Sequence, residues 1–203
     1  VSDAKPVLPL RFFRVFIDLT SEEIGRDVLS LVLEKAGLAP DWIDPQAINR
    51  MDGQTAAEAY ARIQQAMRIY YGRGARGLLI RIGRKMWLRF IDQAAFTEKA
   101  QARVVRALPL NLRYKATLNF CAQFLRQHAD GVTIHTLDLD LMVSDHVGAA
   151  AIGQKENDSV CYVTLGLIQE ALYWACAREH DIVEETCRAR GGDACEFRIK
   201  IAR

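Results

Sequence analysis

The chain has 203 residues, of which 50% are hydrophobic and 26% charged, with a net charge of +2. That is enough apolar material for one buried core, read as a single small-molecule-binding domain over residues 1–203, and too small a charge excess to suggest nucleic acid as a partner. No apolar run is long enough to span a bilayer and Val1 to Pro9 lacks a signal-peptide pattern, so a soluble, cytoplasmic protein is expected.

The run Leu8 to Leu19 is rich in aromatic and β-branched residues, which predicts a strand or an extended entry segment. Thr20 with Glu23 forms a capping-box pattern, and Ile24, Val28, Leu31 and Val32 then share one helical face before Gly37. Residues 41–53 read as a loop. A second helix carries Ala56, Tyr60, Ile63, Met67 and Tyr70 to its end at Gly72, a third runs from Leu78 to Ile91, and a fourth from Leu110 to Ala129. From Val132 to Val143 the period changes to two, with opposite parity at the two ends, which suggests a strand with a bulge near Thr136. A short strand at Val160 to Val163 precedes a helix over Leu165 to Ala177. The last element is a hairpin, Ile182 to Ala189 turning through Arg190-Gly191-Gly192-Asp193 into Cys195 to Ile201. The fold class is therefore α+β, with N-terminal helices packed on an antiparallel sheet that has one inserted helix.

Five cysteines in a chain without an export signal favour metal binding, catalysis or core packing over disulfides. Cys187 and Cys195 stand on the two arms of the last hairpin, and sheet pairing brings Cys161 near them. Three thiols need one more donor for a tetrahedral ion, and Glu184 or Glu185 supplies a carboxylate. Strict alternation favours Glu185, whereas a local bulge admits Glu184. The alternative is that these cysteines are small buried hydrophobes, the reading preferred for Cys121 and Cys176 on their apolar helical faces.

The run from Val183 to Phe197, with its E-x-x-C, Gly-Asp turn and C-x-F pattern, resembles the C-terminal signature of vinyl-reductase-type domains. Gly166 to Trp174 and Tyr71 to Gly77 resemble stand-alone bacterial members of that family. The resemblance implies zinc held by Cys161, Glu184, Cys187 and Cys195. It also implies a cavity between helices and sheet for a hydrophobic or aromatic ligand, with Tyr70, Trp87, Phe90, Phe120, Phe124, Leu165, Trp174 and Ile182 as its walls, and a homodimer packed through the N-terminal helices. Its functional content is a non-catalytic sensor or carrier. Two alternatives come with it: a tetrapyrrole (bacteriochlorophyll) biosynthesis protein acting as reductase or substrate carrier, and an assembly subunit like those of vesicle tethering.

Gly72 to Gly77 matches G-x-G-x-x-G but follows a helix rather than a strand, so it reads as a helix-helix turn and no nicotinamide or flavin motif supports a reductase. Residues 59–91 carry eight cations and no acidic residue, which reads first as a solvated surface and second as a receptor for a carboxylate or phosphate. Asp138, Asp140 and Asp145 read as a solvent-facing polar edge. His128, His135 and His180 have no nucleophile at a telling spacing, so no catalytic triad is expected.

Overall fold

The computed structural model describes residues 6–126 and 131–201. Among these residues eight α-helices are followed or interleaved by four strands: α1 (Leu10–Ile24), α2 (Arg26–Lys35), α3 (Pro45–Ile48), α4 (Gly53–Tyr71), α5 (Gly74–Asp92), α6 (Phe96–Ala107), α7 (Leu110–Leu125), β1 (Val132–Leu137), β2 (Asp140–Asp145), α8 (Tyr162–Cys176), β3 (Asp181–Thr186) and β4 (Cys195–Lys200). The strands form one antiparallel sheet in the order β1-β2-β4-β3, so α8 is inserted between β2 and β3. The α+β class is as predicted.

The predicted N-terminal strand is instead α1. Phe12, Phe13, Val15, Phe16, Ile17 and Leu19 are all buried, so the helix is apolar around most of its circumference. Arg11, Arg14, Asp18 and Glu22 recur at spacings of three and four along its outer edge, a helical period masked by the aromatic and β-branched residues between them. Thr20 does not cap a helix start; its hydroxyl donates to the Phe16 carbonyl at 2.7 Å, and the chain breaks only at Gly25, with φ of 82°. The expected loop holds α3, which begins at Pro45 with the Asp44 carboxylate accepting from Gln46 N–H. The helix α6 has no counterpart among the predicted elements; Glu98 reaches back to the Ala95 N–H at 2.8 Å to secure its start. The end of the predicted fourth helix, residues 127–129, lies outside the described residues.

The parity change between Val132 and Val143 is a hairpin and not a bulge: Asp138, at φ of 51°, turns β1 into β2. Val160 and Cys161 are not a strand but the lead into α8. Of the Gly72 to Gly77 segment, Gly72 and Arg73 make the expected helix-helix turn, and Gly74 to Gly77 already belong to α5.

Two glycines set how α8 meets α5. A methyl group on Gly83 would lie 2.1 Å from the Val163 carbonyl oxygen, and one on Gly166 would lie 2.1 Å from that of Ile80. The two backbones touch there, closer than the usual 8–10 Å between helix axes allows for side chains. One continuous buried cluster runs from Leu8 through α8 to Ile199. Among the described residues no helix is long and apolar enough to cross a membrane.

Candidate metal centre

Three separate segments converge at the end of the sheet near the start of α8. Cys161 precedes the first turn of α8, Glu184 lies in β3, and Cys187 and Cys195 flank the connection to β4. Their ligand atoms all lie within 4.8 Å of one another. The sulfur of Cys161 is 3.9 Å from that of Cys187 and 3.2 Å from that of Cys195, and Cys187 and Cys195 are 4.0 Å apart. A disulfide needs about 2.05 Å, and a tetrahedral ion with bonds of about 2.3 Å sets its sulfurs about 3.8 Å apart. The spacing suits ligation.

Local backbone makes this convergence possible. Opposite β4, Glu184 pairs with Phe197 and Thr186 with Glu196, so Glu185 is bulged out. That slip turns Glu184, and not Glu185, towards Cys187; Glu185 instead meets Arg198 at 3.4 Å on the exposed side. Glu184 Oε2 accepts from the Cys161 N–H at 3.2 Å, while its buried Oε1 has no hydrogen-bond partner. The Arg188 N–H points at Cys195 Sγ at 3.5 Å, and the Arg190 and Gly192 N–H groups both donate to the Cys187 carbonyl. Arg188 also reaches across to the His146 and Val147 carbonyls at 2.6 and 3.0 Å.

Four acidic groups this close cannot all ionise without a cation. Hydrogen bonds to Cys187 and Cys195, then burial, hold the Cys161 thiol well above its ordinary range. Burial pushes Glu184 up to about 8, with Cys187 adding to it. For Cys195 the hydrogen bond to Cys161 pulls downward, but Cys187 and burial outweigh it and the thiol is raised. Cys187 accepts from Cys161 and Cys195 and is held far below an ordinary thiol. A bound cation reverses this competition by favouring every deprotonated form at once.

The eight predicted pocket walls do not enclose a common space. Trp87, Phe90 and Phe120 are fully buried and Phe124 is nearly so. They pack on one another and on Trp174, with Trp87 ring centroids 5.7 Å from Phe120, 5.8 Å from Phe124 and 5.4 Å from Trp174, and Phe90 stacked on Phe124 at 4.9 Å. Tyr70 is exposed on the surface, edge-on to Tyr71. Leu165 and Ile182 line an open cleft of about 550 Å³ with Arg76, Tyr162, Glu184 and Arg190, beside the metal ligands. Helical spacing identified the apolar faces but could not say that they face one another.

Much of the basic stretch is spent on ion pairs. Arg68 meets Glu156, Arg81 and Lys85 share Glu23, Arg84 bridges Glu170 and Glu179, and Arg89 meets Glu22. Asp145 is not a solvent-facing residue. It is buried at the end of β2, where one carboxylate oxygen accepts from the Val147 and Gly148 N–H groups at 3.0 and 2.9 Å. The Asp145-x-Val147-Gly148 spacing carries that turn signature. His135 and His146 are exposed, His180 lies edge-on to Tyr114 at 5.1 Å, and His128 lies outside the described residues.

No family model and no curated protein matches the chain. Solved structures do. An Fe(II) unliganded H-NOX protein mutant from K. algicida is 11% identical with a TM-score of 0.57, covering 97% of each chain. An H-NOX protein from S. oneidensis in the Fe(II)NO state is 14% identical with a TM-score of 0.51, covering 97% of this chain and 100% of that one. The fold is thus H-NOX-like, which corrects the vinyl-reductase resemblance. The zinc cofactor, the hydrophobic-ligand sensor or carrier, the bacteriochlorophyll role and the tethering-type assembly subunit all rested on that resemblance and fall with it.

Proposed function

We propose that this chain is a regulatory domain of H-NOX-like fold whose C-terminal hairpin is locked to α8 by one thiophilic divalent transition-metal ion bound to Cys161, Glu184, Cys187 and Cys195. The observation that carries the reading is the convergence of four donor atoms from three separate segments within 4.8 Å. Four protein donors fill a tetrahedral shell, so the ion's role is to fix structure. The adjoining cleft shares Glu184 with the site, which gives a small polar ligand a direct way to bear on it. Cobalt(II) added to metal-free protein tests the reading: thiolate-to-cobalt charge-transfer bands saturating at about one ion per chain support it, and their absence overturns it.

The solved H-NOX proteins contain ferrous iron, and one binds NO. An iron prosthetic group such as haem needs an axial ligand and an apolar space in the usual pocket range of about 300–1,000 Å³. In this core Trp87, Phe90, Phe120, Phe124 and Trp174 fill the space between α5, α7 and α8, and the chamber among Phe12, Tyr60 and Asp145 measures about 10 Å³. The exposed His135 and His146, and His180 packed on Tyr114, face no such space. The cleft of about 550 Å³ is lined largely by polar and charged side chains, Arg76, Asp158, Asp181, Glu184 and Arg190 among them, so among the described residues no histidine stands beside an apolar space that suits a haem.

A further inference from the structure

Behind the thiols lies a small chamber of about 10 Å³, lined by Leu8, Phe12, Leu125, Val147, Ala149 and Ala150 and by three polar side chains, Tyr60, Asp145 and Thr164. The Tyr60 hydroxyl is buried and has no hydrogen-bond partner. Asp145 Oδ1 accepts from the Val147 and Gly148 N–H groups, and the Asp145 side chain lines the chamber. Thr164 sits in the first turn of α8, three residues after Cys161, and is itself buried.

We infer that this chamber is a binding site for one water molecule, which accepts from the Tyr60 hydroxyl, donates to the Asp145 carboxylate and takes Thr164 as its third partner. Size and chemistry agree. A site needs about 10–15 Å³ for one water and two to four polar partners, whereas purely apolar cavities of this kind stay dry. An unpaired phenol hydroxyl in the interior is costly, and a bridging water removes that cost without moving either helix. Larger occupants are excluded by the walls.

The water ties α4, through Tyr60, to the end of β2 and the first turn of α8. Both border the cysteine cluster: Cys161 directly precedes α8, Asp145 pairs across the sheet with Cys195, and a methyl on Gly148 would lie 3.3 Å from Cys195 Sγ. Burial, with Cys161 and Asp145 nearby, pushes the Tyr60 phenol well above its ordinary range although Gln64 and Thr164, close by but outside hydrogen-bond geometry, pull the other way. This inference stands whether or not a metal binds.

Oxygen-17 magnetic relaxation dispersion on the full chain counts long-lived internal waters. The wild type is expected to lose the contribution of one such water on Tyr60→Phe, which keeps the ring and removes the partner, and again on Thr164→Val. An unchanged dispersion amplitude in both folded variants overturns the assignment. A crystal structure of the wild type at atomic resolution provides the second measurement: density within about 3.2 Å of Tyr60 Oη and Asp145 supports the site. A direct Tyr60–Asp145 bond with no density between them overturns it.

Discussion

Glu184 and Cys187 meet at one point because β3 slips by a residue between Glu184 and Thr186, so that Glu185 is left facing Arg198. A strand of strict alternation would exchange the two glutamates. The bulge therefore selects which carboxylate joins the thiols.

That selection is testable. Glu184→Gln should weaken cobalt binding roughly 10-fold or more, and Glu185→Gln should leave it unchanged, as read from competition with a chromophoric chelator. Cys187→Ser and Cys195→Ser should lower thermal stability sharply, because removing a ligand removes metal-linked folding energy. Cys121→Ala, in the helical core, should leave metal content at the wild-type level.

The backbone contact between α5 and α8 predicts a steric effect. Gly83→Ala or Gly166→Ala places a methyl against a carbonyl that cannot rotate away. Each should cost on the order of 1–3 kcal/mol in urea unfolding. Gly77→Ala, where an added methyl meets nothing, should be neutral or stabilising on the same measurement.

The filled aromatic core predicts that haem titrated into the protein produces no saturable Soret shift. Trp87→Ala should cost about 3–5 kcal/mol, since it deletes a fully buried ring that touches Phe120, Phe124 and Trp174. A saturable one-to-one Soret change in the wild type would contradict the packing described.

Glu23 gives a pH signature. Hydrogen bonds from Lys85, then from Arg81, hold its folded value below the ordinary 4.5 although partial burial opposes them. A carboxylate lowered in this way contributes stability fully present above pH 4.5, and that stability is lost as pH falls through the folded value. Glu23→Gln should therefore flatten the acid limb of the stability profile while leaving the neutral shape unchanged, as measured by urea melts.

Sequence pattern revealed the helices from α4 to α5 and the final hairpin because each buries one face and exposes the other. It failed at α1, where the aromatic and β-branched run outweighed the helical spacing of Arg11, Arg14, Asp18 and Glu22 on the outer edge. At the site, residue type and spacing were enough to pair Cys187 with Cys195, whereas Cys161 joins them from the start of α8 and not through the strand pairing expected of it. The choice of Glu184, the burial of Asp145 and the chamber under Tyr60 depend on a bulge and on contacts across more than eighty residues, which no local window contains. The same blindness made mutually packed aromatics look like the walls of a cavity.

In most helix pairs a layer of side chains separates the two backbones and behaves like a gasket, absorbing changes of shape by changing rotamers. Between α5 and α8 the glycines remove that layer at the crossing, so the two backbones meet with no side chain between them. Cys161 stands at the leading end of α8. Where the two helices cross, backbone shape alone sets their spacing, and any side chain larger than hydrogen at Gly83 or Gly166 would wedge the start of α8, with its thiol, away from α5.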